Sequence, residues 1–74
     1  MDAPTYNQVE LMYRWMVWCM PTAEAHDAAR WVEKNKSKQE VSREISRLHD
    51  LKDKHALTRE SCFAGKFWEG YFKR

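Results

Sequence analysis

Residues 37–51 read SKQEVSREISRLHDL, and the rest of the chain is parsed outward from them. Ser37 followed three residues later by Glu40 is a capping box. The serine hydroxyl can accept the Glu40 backbone N–H, and the Glu40 carboxylate can accept the Ser37 N–H. Behind this start, Val41, Ile45, Leu48 and Leu51 recur at steps of four, three and three, which places four apolar side chains on one helical face. Lys38, Gln39, Ser42, Arg43, Ser46 and Arg47 fall on the other side. A helix with a dry back and a front of amide, hydroxyl and guanidinium groups has the chemistry needed to enter a DNA major groove. A solvent-facing helix without a partner has the same pattern, so the flanking sequence must weigh the two.

Upstream of residue 37, the stretch TAEAHDAARWVEKNK predicts a helix from Thr22 to about residue 33 or 34. Pro21 precedes it, Thr22 is the expected N-cap, and Glu24 and Asp27 suit the positive end of the helix dipole. Ala25, Ala28, Ala29 and Val32 form its inward face, with Trp31 at the edge. Asn35 is expected to close it in a left-handed conformation. Two helices joined by a short turn follow from this reading.

Further upstream, Thr5 with Gln8 is a second capping box, opening a helix from about residue 6 to residue 19. Val9, Met12, Tyr13, Met16 and Val17 occupy one arc of it, and Leu11, Trp15, Trp18 and Cys19 much of the rest. A helix apolar on all sides must be covered on all sides. Leu11, Trp15 and Trp18 are therefore the expected interface of a homodimer. Residues 1–4 are expected to form a loose arm.

Downstream, LTRESCF and FWEGYF are rich in strand-favouring residues and are separated by Ala64-Gly65-Lys66. They predict a β-hairpin of residues 57–63 and 67–72, with Gly65 at a positive φ and Gly70 at a bulge. An aromatic tail laid over the helices is the other reading of this segment.

Seventy-four residues make one domain, and four Trp, three Tyr, three Phe and four Met can fill a small core. The net charge is +2, unevenly spread. Residues 1–33 hold two arginines against five acids, whereas residues 34–55 hold seven basic residues against four acidic ones. Such asymmetry suggests a basic surface facing a polyanion. No apolar run is long enough to span a membrane, and the polar N-terminus does not read as a signal peptide, so a cytoplasmic location is expected. Cys19 and Cys62 have no metal-ligand spacing with His26, His49 or His55, and a disulfide between them is permitted by count but not implied. No catalytic set, phosphate loop, cofactor motif or metal site is read in the sequence, so an enzyme is the least expected class.

Three helices, a tight turn before the third and a closing hairpin with a basic tip resemble the winged helix-turn-helix family of small bacterial and phage transcriptional regulators. The resemblance rests on Ala28-Ala29, on Lys34-Asn35-Lys36, on SKQEVSREISRL from Ser37, on Ala56-Leu57-Thr58-Arg59 and on Gly65-Lys66, and it covers residues 22–72. It implies an α+β fold with a C-terminal two-stranded wing. It also implies a transcription-regulating role on double-stranded DNA, with Lys38, Gln39, Ser42 and Arg43 facing base edges. Lys36, Ser37, Arg47 and the wing residue Lys66 would sit on phosphates. The same scaffold also serves protein-interaction modules, such as small inhibitors or adaptors of a transcription or defence complex. On that reading the aromatic residues, Trp68 among them, are the anchors.

Overall fold

The computed structural model describes residues 2–74 and is helical throughout. Three main helices, α1 (Tyr6–Met16), α2 (Thr22–Asn35) and α3 (Lys38–Asp53), are followed by the single turn α4 (Arg59–Cys62) and a 3₁₀ turn (Lys66–Trp68). The first of these packs against both of the others. Its Met12, Trp15 and Met16 are buried, and they meet Ala25, Ala28 and Val32 of α2 and Val41 and Leu48 of α3. The small alanines let α2 approach closely, as the sequence pattern requires.

Both capping boxes form. Ser37 Oγ accepts the Glu40 N–H at 3.2 Å, and Glu40 Oε1 accepts the Ser37 N–H at 2.9 Å. Thr5 and Gln8 exchange the equivalent pair. Between α2 and α3 only Lys36 and Ser37 intervene, so the second helix turns directly into the third. Asn35 remains helical instead of closing α2 in a left-handed conformation, and its side-chain amide donates to the Trp31 carbonyl at 2.8 Å. Thr22 is the first helical residue, and the cap position falls to Pro21, without a side-chain bond. The first helix ends at Met16, three residues earlier than the apolar run suggests, and Cys19 lies in the turn that follows.

The expected α+β class is overturned: no strand is present among the described residues, and the wing hairpin does not form. Thr58 instead starts a helical turn, its hydroxyl accepting the Ser61 N–H at 3.0 Å while Ser61 Oγ accepts the Thr58 N–H at 2.8 Å. Gly65 and Gly70, at φ of +90° and +93°, then break the backbone into turns. The aromatics at 63, 67, 68, 71 and 72 recur at steps of three and four, a turn-like period, whereas a strand would place them at alternate positions. They collapse on one another and on Trp31. Trp31 stacks on Trp68 with centroids 5.8 Å apart, Phe63 stacks on Tyr71 at 5.5 Å, and Phe63 meets Trp68 edge-on at 4.9 Å. Aromatic pairs of this kind add about 0.5–1.5 kcal/mol each beyond their buried area. The C-terminal segment is thus an aromatic cap over the α2–α3 corner.

Candidate functional site

What fastens this cap to α3 is a buried carboxylate. Glu44 is 4% exposed although it stands on the flank of a charged helix. It accepts the Trp68 Nε1–H at 2.9 Å and two bonds from Arg47, at 2.9 Å from Nε and 2.5 Å from a terminal nitrogen. The remaining reach of that guanidinium goes to the carbonyls of Ser61 and Cys62, at 2.7 and 2.5 Å. The Glu44 bonds hold Arg47 in its charged form beyond the ordinary arginine range. Four of the five guanidinium N–H groups of Arg47 are thus donated within the fold, which leaves one terminal N–H for any outside acceptor. The structure gives Arg47 a structural role beside the expected phosphate contact: it closes the C-terminal cap onto α3.

The remaining residues of the expected interface divide by what they touch. Lys36 lies with its amino group 5.4 Å from the Trp31 ring centroid and 5.1 Å from that of Phe67, and 3.9 Å from Glu40. Its ammonium is thus partly neutralised by the fold. The Ser37 side chain is engaged in its cap. By contrast Lys38, Gln39, Ser42 and Arg43 are all exposed. Neither Lys38 nor Arg43 makes an ion pair among the described residues. Gln39, Ser42, Arg43 and Ser46 follow the i, i+3, i+4, i+7 rule and so share one outward face. The Lys38 N–H is occupied, donating to the Asp2 carbonyl at 2.8 Å, so Asp2 lies against the start of α3.

Lys66, at the start of the 3₁₀ turn, comes to the same side. A shallow depression of about 330 Å³ is lined by Lys36, Glu40, Arg43, Glu44, Arg47, Lys66 and Phe67. Within it, the Ser37 bonds hold the Glu40 carboxyl below its usual range, first through the backbone N–H and then through the hydroxyl. With Glu40 facing Lys36 and Glu44 facing Arg47, the unpaired charges of the depression are those of Arg43 and Lys66. The geometry therefore gathers Arg43 and Lys66 into one cationic patch beside the polar front of α3.

The aromatic positions singled out in the sequence also separate. Trp15 is buried and packs on His49 with centroids 5.6 Å apart, so it belongs to the domain's own core and not to an outer face. Trp68 is 2% exposed and is likewise core. Leu11 and Trp18 do reach the surface, the latter 70% exposed with Lys52 Nζ 5.0 Å from its ring centroid. Sequence reading missed Glu44 as the keystone. The available signal was its position beside the apolar stripe, one helical turn from both Val41 and Leu48, which turns it inward.

Among the described residues no cluster of His, Cys, Asp and Glu could hold a metal ion, and no helix is long and apolar enough to cross a membrane. Fold and site together define a small helical domain that presents one capped, polar, cation-bearing helix face. No family model, curated protein or solved structure matches the chain.

Proposed function

We propose that this chain is a small DNA-binding regulator of transcription that places the N-terminal half of α3 in the major groove of double-stranded DNA. The observation that carries this reading is the exposed face of Lys38, Gln39, Ser42 and Arg43, with Lys66 beside it. Arg43 has the fork to pair with guanine O6 and N7, and Gln39 the amide to pair with adenine N6 and N7, each adding about 1–3 kcal/mol of discrimination. Lys66 supplies a phosphate contact from a turn instead of from a wing, and such contacts set position without reading sequence. Lys36, pinned between two rings, contributes field more than contact. Titration of the protein against random and selected duplexes at two salt concentrations tests the proposal. A specific complex whose affinity falls steeply with salt supports it, and no complex at low salt refutes it.

A second reading, docking to a protein, is favoured by one observation: Trp18 stands 70% exposed, an unusual cost for a side chain of that size. The partner it best fits is a second copy of this chain, since a dimer would pair two α3 faces for two half-sites. A monomeric mass at high micromolar concentration in sedimentation contradicts that dimer.

A further inference from the structure

The depression between α3 and the C-terminal cap holds an excess of positive charge. Its walls carry Lys36, Arg43, Arg47 and Lys66 against the carboxylates of Glu40 and Glu44, four cations to two anions and so a balance of +2. Both carboxylates are engaged by the fold. Glu44 is buried and accepts from Arg47 and Trp68. Glu40 accepts the Ser37 N–H and lies 3.9 Å from the Lys36 ammonium. That ammonium is 5.1 Å from the Phe67 ring centroid, so lysine and ring build one wall together.

Three donors are left for a ligand. Arg43 and Lys66 are exposed and make no ion pair among the described residues. Arg47 adds its one remaining terminal N–H. This guanidinium is fixed in place, because Glu44 holds one side of it and the Ser61 and Cys62 carbonyls the other. Arg43 and Arg47 belong to α3, whereas Lys66 belongs to the cap, so the donors face one another across the seam between the two.

We propose that this depression is a binding site for the phosphate monoester of a small phosphorylated molecule. Charge selects the class: a balance of +2 matches a monoester, which is close to a dianion above its second pKa of about 6, whereas each backbone diester of DNA carries a single charge. Donor geometry fits the same group. The Arg43 fork can give two parallel bonds to phosphate oxygens, while Lys66 and Arg47 supply single ones. The space, about 330 Å³, exceeds a phosphate group several-fold and reaches the lower end of small-molecule sites, which leaves room for the organic part beside Phe67. One consequence rests on the DNA reading given above. A monoester held here takes Arg43 from guanine and Lys66 from the backbone, so the small molecule acts as an effector that releases the duplex.

The test is backbone amide NMR of the full chain at about pH 7.5, titrated with glycerol phosphate as the monoester, with dimethyl phosphate as the diester, and with sodium chloride at matched ionic strength. Glycerol phosphate should give saturable shifts at Arg43, Arg47, Lys66 and Phe67, with dimethyl phosphate at least about tenfold weaker. Arg43→Gln and Lys66→Gln, both at exposed and unpaired positions, should each weaken glycerol phosphate by about tenfold or more, and Lys73→Gln, outside the depression, should not. Shifts that sodium chloride reproduces, equal binding of the diester, or indifference to both substitutions would overturn the site. Duplex titration separates the two proposals. Saturable glycerol phosphate shifts without any duplex complex support the site and refute the DNA reading. A duplex complex that glycerol phosphate displaces no better than sodium chloride supports the DNA reading and overturns the effector site.

Discussion

Replacing Arg47 by alanine separates the clasp from a nucleic-acid contact. The substitution strands Glu44, 4% exposed, with the Trp68 indole as its one remaining donor. It also removes the donors to the Ser61 and Cys62 carbonyls. Breaking a fully buried pair from one side costs about 3–5 kcal/mol. The Arg47 side chain is 34% exposed, so water can reach part of the void. Discounting for that access gives about 2–3 kcal/mol. In a domain of this size that lowers the unfolding midpoint by roughly 10–20 °C. Urea and thermal unfolding followed by Trp fluorescence measure it directly, since Trp68 is itself in the clasp. The double variant Glu44→Gln with Arg47→Ala should be destabilised by clearly less than the sum of the single changes, because each single change strands the other partner. An Arg47→Ala loss below about 0.5 kcal/mol, the size typical of an exposed surface change, would refute the clasp.

Four further outcomes follow from the same structure. Arg43→Ala should leave stability within about 0.5 kcal/mol while abolishing specific DNA binding, as unfolding and duplex titration will show together. Leu48→Ala, which empties a fully buried site, should cost about 2–5 kcal/mol in urea unfolding. Gly65→Ala should cost about 1 kcal/mol through backbone strain alone, since φ is +90° and no atom lies within 4 Å of an added Cβ. Stability should fall as pH drops below the usual carboxylate range. Glu40 is held low by the Ser37 bonds, Glu24 by Arg59, and Asp27 by Arg74 and then Tyr71. Carboxyls depressed in the folded state stabilise it above their unfolded pKa, and that contribution is lost as pH falls through their folded values. Melting curves from pH 7 down to about 2 will show it, and Glu40→Gln should flatten part of the slope.

The helical half of the fold was legible because its signals are local. The capping boxes at Thr5 and Ser37, the alanine face of α2 and the stripe of Val41, Ile45, Leu48 and Leu51 each announce themselves within one or two turns. The C-terminal segment from Leu57 is not legible from composition, because its aromatic residues carry strand propensity. Strand propensity reflects fit to a pleated, half-buried surface, and here no sheet exists to supply that surface. The step of four from Phe63 to Phe67 to Tyr71 was the better guide. Of the candidate interface, the outward residues of α3 follow from helical phase alone. Phase could not show that Arg47 is consumed by carbonyls of residues 61 and 62, because that depends on a chain reversal far along the sequence. Nor could it show that Trp15 and Trp68 are core while Trp18 is not. Burial of large side chains is decided by which helix ends first, and α1 ends at Met16, before Trp18.

The central claim is that the front of α3 meets DNA, and backbone amide NMR during titration with a selected duplex tests it most directly. The account predicts shift changes concentrated on Lys38, Gln39, Ser42, Arg43 and Ser46, with a second set at Lys66 and none on the outward face of α2. Changes centred on Trp18 and the end of α1, with α3 undisturbed, would contradict it.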